Sequence, residues 1–74
     1  MVMSDLSAGE SGIVKEFQNE QRFIERINAM GLTKDAKVTV IRRAPFGDPI
    51  EIKVLNFNLA IRKEQAEKII LEKL

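Results

Sequence analysis

Side chains that commonly carry out catalysis or bind metal ions are few in this sequence. Its 74 residues include no cysteine and no histidine, so thiolate nucleophiles, imidazole bases and the usual ligands of zinc are missing. The carboxylates that remain do not have the spacing of a calcium-binding loop, and no phosphate-binding loop sequence occurs. The carboxylates considered are Asp5, Glu10, Asp35, Asp48, Glu51 and Glu72. We therefore expect a binding module rather than an enzyme, with no catalytic residue, no metal site and no cofactor.

A short loop with two prolines is the strongest candidate for contact with a partner. Proline restrains the loop, which reduces the entropy lost on binding, and Phe46 at the tip offers a large apolar anchor. In the alternative interpretation, Phe46 folds back onto the domain and the prolines only shape a hairpin. The carboxylate of Asp48 is expected to accept backbone N–H groups within the turn. The candidate contact residues are Ala44, Pro45, Phe46, Gly47, Asp48 and Pro49.

Basic residues flank this loop at the ends of predicted strands. Arg42 and Arg43 precede the loop, and Arg62 and Lys63 follow a later strand, so the two pairs could converge on acidic groups of a protein or on phosphates of RNA. In the other interpretation, all four are solvated surface charges. We include Arg42, Arg43 and Arg62 among the predicted partner contacts.

A helix is predicted over about residues 20–30. Its apolar residues fall at positions i, i+1, i+4 and i+7 of one stripe, which are Phe23, Ile24, Ile27 and Met30. Asn19 is the predicted N-cap, and Gly31 is the predicted residue just beyond the end of the helix.

The helical stripe has two interpretations. Phe23, Ile27 and Met30 are expected to cover the mouth of a barrel and belong to its core. Alternatively, the edge of the helix forms a cleft that accepts a peptide, with Ile24, Met30 and Leu32 as its predicted lining.

The other segments alternate with a period of two and predict five short strands, over about residues 12–17, 37–43, 50–55, 59–61 and 69–71. A tight turn is predicted at 56–58, where Asn56 and Asn58 would tolerate positive φ, and a one-turn helix at about 63–67. Because an open sheet of this size would expose its edges, we predict one mainly β domain over residues 1–74, a small SH3-like barrel. A cold-shock type barrel is the runner-up, but it would lack the stacking aromatic residues that such domains use.

Charge and hydropathy limit the location and the partners. The net charge is +1, and residues 34–63 carry seven basic and three acidic side chains, so the middle of the chain is only modestly basic. No apolar run approaches the roughly 20 residues that a membrane span needs, and the N-terminus has no secretion signal. We expect a cytoplasmic protein that does not insert into the membrane and does not bind nucleic acid.

Four motifs in order resemble the FeoA family, ferrous iron transport protein A. They lie at residues 6–14, 27–32, 42–50 and 59–66. The most specific is 42–50, which reads RRAPFGDPI where the family shows Arg-x-Ala-Pro-Leu-Gly-Asp-Pro-Ile. Three departures are Asp35, where the family often has glycine, Phe46 in place of leucine, and Asn56, where glycine commonly precedes the aromatic residue.

The resemblance implies an SH3-like barrel and a non-enzymatic role. FeoA-like proteins are cytosolic accessories that act on FeoB, the membrane ferrous iron transporter with a cytosolic G-protein domain, so the chain is expected to reach the inner membrane only through this partner. Two other functions stay open, a metal-responsive regulatory domain and a small nucleic-acid-binding barrel, and self-association is also left open.

Overall fold

The computed structural model describes residues 1–18 and 20–74, so the predicted N-cap Asn19 lies outside the described residues. A 3-10 turn, Met3–Asp5, precedes the first strand. The strands are β1 Ser11–Phe17, β2 Lys37–Arg43, β3 Ile50–Val54, β4 Phe57–Ile61 and β5 Ile69–Lys73, and the helices are α1 Gln21–Ala29 and α2 Lys63–Ala66. The predicted mainly β architecture, with five strands, an inserted helix and a one-turn helix before the last strand, is confirmed.

The five strands form one antiparallel sheet in the order β4-β3-β2-β1-β5. The register of β1 with β5 shifts between Val14 and Glu16, and that of β2 with β3 shifts between Val40 and Arg42. Bulges of this kind bend and twist a sheet, which curls this one around a single core. Helix α2 carries the chain from one edge strand, β4, to the other, β5.

The core that the described residues form is entirely apolar. Alternate residues of the strands point inward, and they are joined by residues of the N-terminal segment, of α1 and of α2. Burying a large aliphatic side chain contributes about 1.5–3 kcal/mol, so this cluster is the main source of stability. Its members are Met3, Leu6, Val14, Ile27, Leu32, Val38, Val40, Ile50, Ile52, Val54, Ile61, Ala66, Ile69 and Leu71.

Helix α1 ends in a Schellman motif at Gly31, as the sequence predicted. Gly31 has φ +99°, its N–H donates to Asn28 O at 3.0 Å, and the N–H of Leu32 donates to Ile27 O at 3.3 Å. A left-handed residue here satisfies the last carbonyl groups of the helix. The chain then turns back and buries Leu32 completely.

The predicted core stripe of α1 is correct only in part. Ile27 is fully buried, and Phe23 packs against the core, but Met30 keeps 37% of its surface exposed. Met30 lies beyond the last helical residue and adopts ψ −3°, so its side chain leaves the line of the stripe.

The predicted turn at residues 56–58 is displaced. Residues 55 and 56 form the turn, and Phe57 and Asn58 already belong to β4, where Phe57 pairs with Val54. The positive φ falls on Leu55, at +54°, and not on an asparagine. Asp35 has φ +72°, which explains why glycine would suit that position.

The length and hydropathy of a helix decide whether it can span a membrane. Among residues 1–18 and 20–74, no helix has both the length and the apolar character needed to cross a bilayer.

Candidate partner-binding site

The loop of residues 44–49 connects β2 to β3 and closes on itself. Ala44 N–H donates to Pro49 O at 3.1 Å, and Gly47 N–H donates to Ala44 O at 2.7 Å. The Asp48–Pro49 peptide bond is cis. These two hydrogen bonds define a turn whose tip is formed by residues 45–47, and this segment is called the proline loop below.

Asp48 fastens the proline loop to α2. The sequence predicted that its carboxylate would accept hydrogen bonds within the turn, but Oδ1 accepts the backbone N–H of Lys63 at 2.9 Å. Oδ2 lies 3.8 Å from Nη1 of Arg62. Lys63 is the first residue of α2. The N–H groups in the first turn of a helix have no acceptor inside the helix. Asp48 therefore caps a helix that is distant in sequence, which a local turn pattern does not reveal.

Phe46 projects from the tip of the proline loop with 98% of its surface exposed. The interpretation in which this ring folds back onto the domain is therefore wrong. The exposed ring leaves apolar surface in water, so its contact with another molecule would be favourable. Phe46 is the most exposed of the large apolar residues that the structure describes.

A shallow cavity of about 190 Å³ lies at the base of the proline loop. Apolar groups of the loop and of β4 form most of its wall, and a surface ion pair, Arg42 Nε to Glu51 Oε1 at 3.3 Å, forms the rest. The cavity is lined by Arg42, Ala44, Pro45, Pro49, Glu51 and Ala60. Its size and position suit a small apolar side chain beside the loop.

The predicted convergence of basic residues does not occur as a single cluster. Arg42 pairs with Glu51, and Arg62 lies near Asp48, so both flank the proline loop as exposed ion pairs. Arg43 instead donates from Nη2 to Leu6 O at 2.7 Å and also to Ser4 O. Arg43 therefore holds the N-terminal turn against the sheet, a structural role that the sequence analysis missed because the two partners are main-chain carbonyl groups.

The predicted cleft along α1 is wrong for one of its three residues. Leu32 is fully buried and cannot line an open cleft, whereas Met30 is exposed and Ile24 is half-buried. Two apolar residues that the prediction omitted lie at the β3–β4 turn, where Leu55 is 75% and Phe57 is 37% exposed. A β-carbon built on Gly31 would lie 2.6 Å from Cζ of Phe57, so this ring covers the end of α1.

Charged groups elsewhere form no metal-binding cluster in the described ranges 1–18 and 20–74. One carboxyl has a shifted pKa. The ammonium group of Lys73, 2.5 Å from Oε2 of Glu10, holds the pKa of Glu10 below its ordinary value, and the backbone N–H of Ser7 acts in the same direction. This ion pair links β5 to the turn that precedes β1.

A five-stranded antiparallel sheet curled around an apolar core defines the class of small SH3-like domains. The fold is that of a zinc complex of FeoA from Stenotrophomonas maltophilia, described as a prokaryotic SH3 domain protein, with a TM-score of 0.83 and 22% identity over 97% of this chain and 89% of that one. The predicted SH3-like barrel is confirmed.

Sequence comparison gives the family. The FeoA domain model matches residues 1–73, and the FeoA protein of Chlorobium tepidum is 36% identical, with a TM-score of 0.92 over 100% of this chain and 70% of that one. The chain belongs to the FeoA family, which is associated with ferrous iron transport, so the resemblance found in the sequence is confirmed.

One relative joins two proteins in one polypeptide. An Fe(2+) transport protein A/Fe(2+) transporter FeoB fusion protein of Porphyromonas gingivalis is 31% identical over 72 residues, which are 97% of this chain. The chain spans 8% of the length of that relative. The fusion links the family to FeoB.

Proposed function

We propose that this domain is an accessory protein of ferrous iron uptake that docks on the cytosolic part of a FeoB-type membrane GTPase transporter. It acts by contact and not by catalysis, and it reaches the cytoplasmic face of the membrane through this partner. The exposed ring of Phe46 on a fastened loop is the observation that carries the proposal. The fusion of a relative to FeoB supports the choice of partner.

The geometry of the proline loop favours contact of this kind. Hydrogen bonds within the loop and the bond from Asp48 to α2 hold its shape before binding, so little conformational entropy is lost when it docks. The flanking residues Arg42 and Arg62 lie at the rim in exposed ion pairs with Glu51 and Asp48. These pairs can exchange partners with charged groups of the transporter, which affects specificity and the rate of encounter more than the affinity. Selective binding to one conformation of the transporter would then shift its nucleotide cycle.

Replacement of Phe46 by alanine tests the proposal. We expect F46A to weaken binding to the purified full-length transporter by roughly 30-fold, which is the effect of removing a hot-spot side chain worth about 2 kcal/mol. The melting temperature should not change, because the ring is 98% exposed. Binding is measured by biolayer interferometry against the transporter in lipid nanodiscs, and unfolding by circular dichroism.

A matched control is the substitution of Leu74 by alanine, because Leu74 is an apolar residue outside the loop that is 64% exposed. L74A should bind like the wild type. Equal affinities of F46A and the wild type would contradict the assignment of the loop, and absence of wild-type binding would contradict the choice of partner. In cells, deletion of this protein should reduce Fe(II) uptake while the amount of transporter stays constant.

A further inference from the structure

The two edge strands of the sheet, β5 and β4, differ in whether another segment covers them. The outer edge of β5 is covered by the N-terminal segment, because Val2 bridges Ile70 and the N–H of Leu71 donates to Met1 O at 2.8 Å. Strand β4, at the opposite edge, pairs only with β3 among the residues that the structure describes. One edge is therefore covered and the other is open.

The open edge of β4 presents a regular row of backbone groups. Val54 and Phe57 lie opposite each other across the two-residue turn. Residues that close a turn of this length form a hydrogen-bonded pair, and hydrogen-bonded and non-hydrogen-bonded pairs alternate along an antiparallel ladder from there. The N–H and C=O groups of Asn58 and Ala60 then point away from β3. Both residues are exposed, so these four groups are available to an added strand.

Strand β4 also lacks the features by which proteins usually protect an edge. Proteins blunt open edges with charged residues, proline or bulges. The sequence of β4, FNLAI, contains no charge and no proline, and its register with β3 runs without a shift from Phe57 to Ile61. An edge of this kind readily accepts a further strand.

We infer that β4 is a strand-addition site, and that its occupant is an extended, acidic segment of the partner protein. The β4 edge borders the proline loop, because Ala60 lines the cavity at the base of that loop together with Pro45 and Pro49. A segment paired with β4 can therefore place a small apolar side chain in the cavity while Phe46 packs beside it. Main-chain pairing with side-chain pockets is an established mode of peptide recognition.

The charge around the edge favours an acidic occupant over a second copy of this chain. Lys53, opposite Asn58 on β3, and Lys63, beyond the other end of β4, make no ion pair with another described residue. The nearby carboxylates of Glu51, opposite Ala60, and of Asp48 are instead paired with Arg42 and Arg62. Antiparallel pairing of two copies through β4 would bring Lys53 of one copy towards Lys63 of the other, and like charges across a strand pair are destabilising. An acidic segment meets opposite charge at both ends of the strand.

The inference rests on the proposed function, and substitution of Ala60 by proline separates the two. Proline is tolerated on an edge strand where the N–H faces outward, so A60P should fold. It removes one donor and places its ring in the path of the added strand, so we expect affinity for the full-length transporter to fall at least about tenfold. Wild-type affinity in A60P, with weak binding by F46A, would overturn strand addition and leave the proposed function in place.

A second pair of variants tests the charge of the occupant without any change of backbone. Asn58 is exposed opposite Lys53, so either N58E or N58K should fold. We expect N58E to repel an acidic segment and weaken binding several-fold, and N58K to bind at least as well as the wild type. Equal affinities of the two variants would overturn the acidic assignment.

Hydrogen exchange provides a readout that does not depend on mutants. On addition of the transporter, amide protection should increase at Asn58 and Ala60 and not at the covered β5 edge. Binding without protection at β4 would overturn the inference alone, and the absence of any wild-type binding would overturn both proposals. Dimerisation through β4, detected by analytical ultracentrifugation of this chain alone, would replace the partner segment with a second copy.

Discussion

Replacement of Gly31 by alanine should destabilise the domain more than replacement of any other positive-φ glycine. Gly31 has φ +99°, and an added β-carbon would lie 2.6 Å from Cζ and 3.2 Å from Cε2 of Phe57. The left-handed backbone alone costs a residue with a side chain about 1–2 kcal/mol. The overlap adds about 1 kcal/mol, the low end of the cost of overpacking, because the atoms met are the far end of a ring that is 37% exposed and can turn aside. The sum is about 2–3 kcal/mol.

The expected loss can be measured by thermal unfolding. In a domain of this size, 1 kcal/mol corresponds to about 4–8 °C, so G31A should lower the melting temperature by about 8–24 °C. A stability of roughly 0.05–0.15 kcal/mol per residue leaves most such domains folded after this loss. Circular dichroism at 222 nm, supported by urea unfolding, gives both quantities.

Gly9 provides the matched control. It also has positive φ, +88°, but an added β-carbon would meet nothing within 4 Å. G9A should therefore show only the backbone part, about 1–2 kcal/mol. Equal losses in G9A and G31A would refute the argument from the ring. In the double variant G31A/F57A the two losses should be less than additive by about 1 kcal/mol, since the overlap of the β-carbon with the ring is absent.

Two further changes test polar contacts of the described structure. R43Q should lower the free energy of unfolding by about 2 kcal/mol, because the carbonyl groups of Ser4 and Leu6 lose a charged donor. Hydrogen exchange at residues 3–6 should also become faster. An unchanged melting temperature would contradict the role of Arg43. The pKa of Glu10 is lower in the folded state than its ordinary value of 4.5, so its stabilising contribution is complete above that pH and is lost as the pH falls through the folded-state pKa. The stability curves of E10Q and the wild type should therefore differ at neutral pH and converge in acid, and parallel curves would contradict the ion pair with Lys73.

Periodicity predicted the fold because the core depends on patterns that are local in sequence. The alternation of Val38 and Val40, and of Ile50, Ile52 and Val54, places each of them inside, and all five are fully buried. Gly31 at the end of a helical stripe predicted the helix end for the same reason. Such patterns depend only on the directions in which successive side chains of one helix or strand point.

The predictions failed where the direction of the chain depends on a distant contact. Leu32 follows a helix end, and its burial results from the turn at Gly31 and the barrel beneath it. Leu55 holds the positive φ of a tight turn because the register of β3 with β4 leaves two residues for the connection. No local preference of leucine for such a conformation exists, so the sequence pointed to the neighbouring asparagines.

The same difference between local patterns and distant contacts explains which predictions for the candidate site were correct. Asp48 and Arg43 were both predicted to face a partner or their own turn, but each makes hydrogen bonds to main-chain groups far away in sequence, at Lys63 and at Leu6. Asp48 lies near the last residue of the proline loop and fixes that end to α2, and Arg43 precedes its first residue and fixes the other end to the N-terminal segment. Phe46, between them, contributes almost no buried surface to the fold. The polar residues of the motif thus hold the loop in place and leave its apolar tip exposed. If the proposed function holds, substitutions at Asp48 should affect recognition through the position of the loop, and those at Phe46 should affect it directly.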